Sequence, residues 1–202
     1  MAEIYLFHSA LGLRPGVVEA AERLRRAGHY VHAPDLYDGD IYDDLEEGVR
    51  KRDELGIPEI IRRAVAASER ATENAIYAGF SLGAGCAEFL AATRLARGAV
   101  LMSGAAPLSW IGIEEWPAHV PVQIHSMDDD PWINADAIQA VARAVRATGE
   151  AAEVYAYPGS AHLFADPGLP DYEPDAAGLM WQRVLAFIAR REVSVANGSG
   201  RN

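Results

Sequence analysis

Short apolar runs alternate with stretches of helical periodicity along most of this chain. Runs rich in Val, Ile, Ala and aromatic residues predict strands at residues 3–7, 30–33, 75–80, 98–102, 120–125 and 152–157. Between them, apolar residues recur at three- and four-residue intervals, which predicts helices at residues 15–27, 58–73, 82–95, 133–148 and 176–189. The highly charged residues 38–55 predict a solvated loop and helix.

The order of these elements predicts a mostly parallel sheet with helices on both of its faces. Residues 98–102 (Gly-Ala-Val-Leu-Met) are apolar throughout, as expected for a central strand buried on both sides. We therefore expect one three-layer α/β domain at residues 1–191 and a disordered tail at residues 192–202. Sites in such sheets form beyond the carboxyl ends of the strands, so the residues that directly follow strands are candidates for function.

Charge and composition narrow the classes of partner. The 202 residues carry a formal net charge of −11, with 29 acidic against 18 Lys and Arg residues, which disfavours nucleic acid and anionic membrane surfaces. No apolar run approaches 18 residues and no basic segment precedes the first one, so neither a membrane span nor an export signal is expected. Because the single cysteine, Cys86, cannot form an internal disulfide, we expect a cytoplasmic protein, either a monomer or a small homo-oligomer.

The residues after three of the predicted strands supply a hydroxyl, a group of carboxylates and an imidazole. Ser81 follows the strand at residues 75–80 and is flanked by Gly79 and Gly83 in the pattern Gly-x-Ser-x-Gly. Three aspartates follow the strand at residues 120–125, and His162 follows the strand at residues 152–157. This order of Ser, Asp and His along the chain is the one found in nucleophile-elbow enzymes.

These residue types predict acyl-transfer chemistry. A serine hydroxyl is a poor nucleophile until a base takes its proton, and His162 is the candidate base for Ser81. Asp130 is a candidate to hold His162 in the correct tautomer, with Asp128 and Asp129 as alternatives.

Backbone groups at two strand ends complete the expected chemistry. The N–H of Leu82 and one N–H of the turn at residues 9–11 are candidates for an oxyanion hole. The alternative interpretation of Ser81 is a plain tight turn, and that of the downstream histidine is a loop residue bonded to a carbonyl. His8 and His125 also end strands, where we expect packed neighbours of the site rather than catalytic groups.

The sequence does not favour a metal or a cofactor. Asp38, Asp40, Asp43 and Asp44 resemble a calcium loop in composition only, because their spacing and the position of Gly39 differ from the EF-hand pattern. The histidines form no His-Glu-x-x-His pair, and no Gly-x-Gly-x-x-Gly follows the first strand. We therefore expect no metal and no cofactor.

The chain resembles the dienelactone hydrolase family of α/β-hydrolases along nearly its whole length. The segments that carry the resemblance are FHSALGLRP (7–15), APDLYDG (33–39), YAGFSLGAG (77–85), IHSMDDDPWI (124–133), YPGSAHLFAD (157–166) and PDAAGLMWQRVLAFI (174–188). The resemblance implies an α/β-hydrolase fold and a triad of Ser81, Asp130 and His162. It also implies an oxyanion hole built from the N–H groups of Ala10 and Leu82.

Three positions depart from the namesake enzymes of that family. Ser81 stands where they carry a cysteine, Ser9 stands where they carry a glutamate, and Asp166 stands where they carry an arginine that grips a substrate carboxylate. A serine depends on its base more than a thiolate does, so His162 should matter more here. Because a carboxylate at 166 would repel an anionic lactone, an uncharged substrate is expected rather than dienelactone itself.

Apolar residues near these positions predict a pocket for a small ester, lactone or thioester. The pocket residues expected are Leu11, Tyr37, Phe80, Trp110, Trp132, Leu163 and Phe164. Phe80 and Leu163 fit a core position equally well. Residues 103–118 are too few for a large lid domain, so an open site is expected.

The leading hypothesis is thus a serine hydrolase that cleaves a small, uncharged carboxylic ester or lactone through an acyl-enzyme. One alternative is a ligand-binding module on the same fold with little turnover. Another is an acyl transferase or perhydrolase, in which an acceptor other than water takes the acyl group.

Overall fold

One parallel β-sheet organises the molecule. The structure is a computed structural model that describes the backbone of residues 1–198 and the side chains of residues 1–192. The strands in this part of the chain are β1 (Glu3–Phe7), β2 (Tyr30–His32), β3 (Ala75–Phe80), β4 (Gly98–Met102), β5 (Val122–Met127) and β6 (Ala152–Tyr157). They lie in the order β2-β1-β3-β4-β5-β6, and every neighbouring pair is parallel.

Helices cover both faces of this sheet. In the described residues they are α1 (Pro15–Arg26), α2 (Leu45–Leu55), α3 (Ile57–Ala67), α4 (Leu82–Thr93), α5 (Ala135–Ala147) and α6 (Pro174–Gly198). Buried residues of α1 and α6 pack on one face, and those of α3, α4 and α5 pack on the other. The predicted three-layer α/β architecture with a parallel sheet is confirmed.

The central strands are apolar throughout because their side chains alternate between the two faces of the sheet and both faces are buried. In β4, Val100 and Met102 join the core beneath α1 and α6, whereas Ala99 and Leu101 join the core beneath α3, α4 and α5. All four side chains are completely buried. A strand covered on both sides therefore shows no polar alternation, as the sequence pattern indicated.

Several predicted elements are shifted or shortened by one or two residues, and two differences have a clear physical reason. β5 continues to Met127, two residues beyond the predicted end, because it pairs with β6 as far as Tyr157. α3 ends at Ala67 instead of residue 73, since the Ser68 hydroxyl donates to the Ala64 carbonyl and competes with further helical bonds.

The charged stretch before α3 forms a loop and α2, as predicted. The Asp44 carboxylate caps this helix by accepting the Glu47 N–H. Three of its other aspartates pair with basic side chains: Asp38 with Arg63, Asp40 with Lys51 and Asp43 with Arg14.

The last helix reaches into the segment expected to be a disordered tail. α6 continues to Gly198, so the expected boundary at residue 191 does not coincide with the end of a helix. Residues 199–202 of that tail lie outside the described residues. Among the residues that are described, no helix is both long and apolar enough to cross a membrane.

Candidate active site

Ser81 occupies a strained turn between β3 and α4. Its backbone φ is +51°, a left-handed value that residues other than glycine seldom adopt. The flanking glycines make the turn possible, because a Cβ at Gly79 would lie 2.1 Å from the Gly83 carbonyl oxygen. A Cβ at Gly83 would lie 2.3 Å from the Phe7 carbonyl oxygen. The pattern Gly-x-Ser-x-Gly therefore reflects close backbone packing on both sides of the serine.

The turn brings the Ser81 hydroxyl to an imidazole and, through it, to a carboxylate. His162 Nε2 lies 2.7 Å from Ser81 Oγ, and His162 Nδ1 lies 2.7 Å from Asp130 Oδ2. The side chains of His162 and Asp130 are 7% and 0% exposed. Because a carboxylate only accepts hydrogen bonds, Nδ1 donates to Asp130, which leaves Nε2 to accept the serine proton.

The three candidate aspartates differ clearly in their surroundings. Asp130 accepts hydrogen bonds through both oxygens, one from His162 and one from the Trp132 N–H at 2.9 Å. Asp128 and Asp129 have exposed side chains. Their backbone N–H groups bond to carbonyls at the end of β6 and fasten the two strand ends together. The geometry thus favours Asp130 as the partner of the imidazole.

The turn after β1 is held by a buried histidine. His8 Nε2 accepts the Leu36 N–H at 2.9 Å, so Nδ1 carries the proton and donates to the Ser9 carbonyl at 2.7 Å. Burial lowers the pKa of His8, which keeps the ring neutral and able to make both bonds. The Ser9 hydroxyl in turn accepts the Leu11 N–H at 3.1 Å.

These bonds fix the peptide group that joins Ser9 to Ala10. In a trans peptide the C=O and N–H point in opposite directions, so holding the Ser9 carbonyl also aims the Ala10 N–H. Within the described chain, neither the Ala10 N–H nor the Leu82 N–H is used in a hydrogen bond. Both expected oxyanion donors are therefore free to bind an external oxygen.

A cavity of about 450 Å³, the first cavity, opens beside Ser81 and His162. It lies between α3, the start of α4 and the segment that follows β4. Its lining includes Arg52, Asp53, Ile57, Ile60, Ile61, Leu82, Cys86, Ser103, Trp110, Trp132 and Ile133. Burial raises the pKa of the Cys86 thiol to about 12, so this thiol stays protonated and unreactive at the cavity wall.

A second cavity, of about 320 Å³, lies on the other side of His162. It is bounded by the turn after β1, the start of α2 and the loops after β5 and β6. Its lining residues are Leu11, Asp43, Asp44, Leu45, Pro131, Trp132, Ser160, His162, Leu163, Leu169, Pro170 and Asp171. His162 and Trp132 line both cavities, with their ring centroids 6.2 Å apart.

The structure divides the seven expected pocket residues. Trp110 and Trp132 line the first cavity, while Leu11, Leu163 and again Trp132 line the second.

Three of the expected pocket residues line neither cavity. Tyr37 packs edge-on against His8, and Phe164 packs against Tyr157. Phe80 faces α6, with its ring 6.3 Å from that of Trp181. Their aromatic side chains are buried in the core.

Asp166 does not line the substrate site, although it stands in the sequence where the namesake enzymes carry a substrate-binding arginine. Its carboxylate pairs with the buried Arg14 at 3.5 Å, and neither residue lines the first or the second cavity. The expected repulsion of anionic substrates by Asp166 therefore has no basis in this geometry.

Sequence reasoning missed several residues that line the first cavity. Ile60 and Ile61 of α3 are among them, where helical spacing indicated packing but not exposure to a cavity, and Ile57 lies just before the predicted start of that helix. Ser103 directly follows β4. The rule that residues after strands are candidates for function, which selected Ser81 and His162, therefore applies to Ser103 as well.

The chain matches known proteins in sequence and in fold. The profile of the dienelactone hydrolase family matches residues 2–191. A dienelactone hydrolase-like promiscuous phosphotriesterase from metagenomic libraries superposes with a TM-score of 0.72 at 20% identity, over 94% of this chain and 86% of that one. Butyrate-bound esterase 2 of the planctomycete Thermogutta terrifontis superposes with a TM-score of 0.65 at 15% identity, over 96% and 83%. A sequence search among curated proteins gave no match.

Proposed function

The chain belongs to the dienelactone hydrolase family and is a carboxylic-ester hydrolase, and from this premise we propose that it cleaves small esters or lactones with an uncharged acyl group through an acyl-enzyme on Ser81. The observation that carries the proposal is the pair of 2.7 Å hydrogen bonds joining Ser81, His162 and Asp130. These contacts supply the nucleophile, the base and the group that orients the base.

In the acylation step, Ser81 Oγ attacks the carbonyl carbon of the ester and its proton passes to His162 Nε2. The imidazolium that forms is stabilised by Asp130, which is buried beside Nδ1. When the tetrahedral intermediate collapses, the bond between carbon and the alcohol oxygen breaks. The oxygen keeps the electron pair and takes the proton from Nε2, so that an alcohol leaves and an acyl-serine remains.

In the deacylation step, water takes the place of the alcohol. His162 Nε2 accepts a proton from the water as its oxygen attacks the acyl carbon. The second tetrahedral intermediate then expels Ser81 Oγ, which recovers its proton from the imidazolium. The carboxylic acid is released and the resting hydrogen bonds re-form.

Negative charge on the carbonyl oxygen develops in both steps, and the N–H groups of Ala10 and Leu82 are placed to receive it. Preorganised donors of this kind are worth about 3–4 kcal/mol each in transition-state stabilisation. His8 acts as a positioning residue for the first of them, because its bond to the Ser9 carbonyl orients the peptide that carries the Ala10 N–H.

The preference for uncharged acyl groups follows from the charges that line the first cavity. Arg52 and Asp53 pair with each other at 2.7 Å, so among the described residues lining this cavity no lysine or arginine lacks a carboxylate partner. The cavity volume of about 450 Å³ suits a small molecule.

The test is covalent labelling by a fluorophosphonate probe, which reacts with activated serines. Wild type and Ser109→Ala, at an exposed serine that lines neither cavity, should be labelled at the same rate, whereas Ser81→Ala should not be labelled. An unlabelled wild type, or equal labelling of Ser81→Ala, would refute the assignment of the nucleophile. Turnover of a neutral ester together with labelling at Ser81 also separates a hydrolase from a ligand-binding module.

A further inference from the structure

The two cavities described above share His162 as a lining residue but differ in the other residues around it. Ser81 and Leu82 line the first cavity only, Leu11 lines the second cavity only, and His162 lines both. We propose that the ester substrate straddles His162, with its acyl half in the first cavity and its alcohol half in the second. We further propose that the second cavity favours a cationic alcohol half over a neutral one of the same shape and disfavours an anionic one. This inference rests on the proposed acyl-enzyme chemistry.

The placement of the acyl half follows from the bond that it forms. Its carbonyl carbon becomes bonded to Ser81 Oγ, so the acyl group must extend into space that borders Ser81. The first cavity is that space, and most of its lining side chains are apolar. Ile57 and Ile61 from α3 and Trp110 from the segment after β4 are the large side chains that an acyl chain would contact there.

The placement of the alcohol half follows from the proton that it must receive. The leaving oxygen takes its proton from His162 Nε2 and never bonds to Ser81, so the alcohol needs a space that borders His162. The second cavity borders His162 and also Leu11, the residue after the proposed oxyanion donor Ala10. Leu82 lines the first cavity and Leu11, next to Ala10, lines the second, so a carbonyl oxygen held by the N–H groups of Ala10 and Leu82 would have a lining residue of each cavity beside it.

The charges lining the two cavities differ. In the first cavity, the positive charge of Arg52 is balanced by the negative charge of Asp53, with which it pairs. The second cavity is lined by Asp43, Asp44 and Asp171 and, among the described residues, by no lysine or arginine.

Two of these carboxylates already have partners. Asp43 pairs with Arg14, which lies outside the lining, and Asp44 caps α2. Asp171 is exposed. The negative potential that remains disfavours an anionic alcohol and favours a cationic one.

Separate measurement of the two chemical steps tests the placement. The acyl-enzyme keeps the acyl half and has lost the alcohol half, so deacylation reports on the acyl cavity alone. With p-nitrophenyl esters of two to eight carbons, stopped-flow bursts give the acylation rate and the steady state gives the deacylation rate. The variants to compare are Ile61→Ala in the first cavity and Leu169→Ala in the second, with the exposed Leu95→Ala as a control for truncation.

The expected result is a separation of the two variants by reaction step. Ile61→Ala should change the deacylation rate by about 5- to 20-fold in a way that depends on acyl length. Leu169→Ala should change acylation and leave deacylation within about two-fold for every ester. The reverse pattern would overturn the placement while leaving the acyl-enzyme intact, whereas the absence of any burst and of any label on Ser81 would overturn the proposed function itself.

Two esters of equal shape test the charge preference. Choline butyrate and 3,3-dimethylbutyl butyrate share an acyl group and differ by the positive charge of the alcohol. At low ionic strength kcat/KM should be about 3- to 10-fold higher for the choline ester. This ratio should fall when salt is added and should also be lower in Asp171→Asn. A ratio of one or below in wild type would refute the charge preference.

Discussion

Ser81 and Ser103 occupy equivalent places on neighbouring strands. Ser81 directly follows β3 and Ser103 directly follows β4, with backbone φ values of +51° and +61°. Both border the first cavity. A strained serine at the carboxyl edge of the sheet is thus present twice in this molecule.

The two serines differ in what surrounds the hydroxyl. Ser81 Oγ lies 2.7 Å from His162 Nε2, and α4 begins immediately after it with a free N–H at Leu82. Ser103 is followed by Gly104 and a non-helical segment, and its hydroxyl has no hydrogen bond within the described residues. Backbone strain therefore places a hydroxyl at the cavity in both cases, but only Ser81 has the neighbours that the proposed chemistry needs, which are an imidazole and a helix N-terminus.

Replacing each serine by alanine tests whether the strained backbone or the hydroxyl with its neighbours matters for activity. The loss of activity in Ser81→Ala should be the largest effect of all the variants. Ser81→Ala should lower kcat by about 10⁴-fold or more, because both chemical steps pass through Oγ. Ser103→Ala should lower kcat/KM by at most about ten-fold, since only a cavity contact is lost. Steady-state hydrolysis of p-nitrophenyl butyrate measures both, and similar losses in the two variants would contradict the distinction.

Asparagine in place of Asp130 removes the charge that supports the base of Ser81. Asp130→Asn should lower kcat by about 10³–10⁴-fold, because the amide stabilises neither the required tautomer nor the imidazolium. Asp128→Asn and Asp129→Asn serve as matched controls and should stay within about two-fold. A large loss in either control would move the triad acid to that neighbour.

Two substitutions at His8 test how the oxyanion donor of Ser81 is held. His8→Asn can still donate to the Ser9 carbonyl from the position of Nδ1, whereas His8→Gln can still accept the Leu36 N–H from the position of Nε2. We expect kcat to fall by about 10- to 100-fold in His8→Gln and by much less in His8→Asn, with KM little changed in both.

Thermal unfolding of the two variants keeps that comparison interpretable. Each variant loses one buried hydrogen bond, so their melting temperatures should fall by similar amounts. If kcat followed melting temperature instead of the retained bond, His8 would be a structural residue and not a positioning one.

The segment after Ser103 depends on a buried carboxyl group, which predicts a pH effect. Glu88 Oε2 accepts the Ala106 N–H at 2.9 Å and burial raises the Glu88 pKa to about 8. Between pH 4.5 and about 8 the unfolded chain releases this proton while the folded chain keeps it. The free energy of unfolding therefore falls as pH rises through that range, by an amount on the order of a few kcal/mol.

Glu88→Gln should remove this part of the pH dependence. Urea unfolding at pH 5 and pH 9 should show a smaller difference for the variant than for wild type, with the variant the more stable of the two at pH 9. Asp128→Asn, at an exposed carboxylate, is the control for a simple change of net charge. An unchanged pH dependence in Glu88→Gln would mean that Glu88 is ionised in the folded protein.

Glycine at position 103 should give the smallest effect. The left-handed φ costs a serine about 1 kcal/mol, part of which glycine returns as added freedom of the unfolded chain. Ser103→Gly should raise the free energy of unfolding by no more than about 1 kcal/mol. A loss larger than that in urea unfolding would show that the serine side chain stabilises the turn.

The framework of the site was predictable because it depends on chain order and strand ends. A parallel sheet collects all carboxyl ends at one edge, so residues as distant as Ala10 and His162 could be assigned to one place. The glycines around Ser81 marked the tight turn without any knowledge of tertiary contacts. The family resemblance selected Asp130, a choice that the strand pattern alone left open.

The cavity lining was less predictable, because an apolar residue fits the protein core and the lining of a cavity equally well. Phe80 was expected in the pocket, but its alternation with Ile76 and Ala78 places it under α6. Helical spacing predicted a packing face that includes Ile60 and Ile61, and the docking of α3 places both of them at the cavity wall. Strand parity could have excluded Phe80, whereas the position of α3 requires the three-dimensional structure.

The strand order has a consequence for the time at which the molecule becomes active during synthesis. His162 follows β6, which joins the sheet only through β5 at its outer edge, about 80 residues after the nucleophile has been made. A growing polypeptide on the ribosome therefore carries Ser81 without its proposed base until β6 and the loop after it have been made. If His162 is the base, recovery of esterase activity after dilution from denaturant should coincide with the docking of β6.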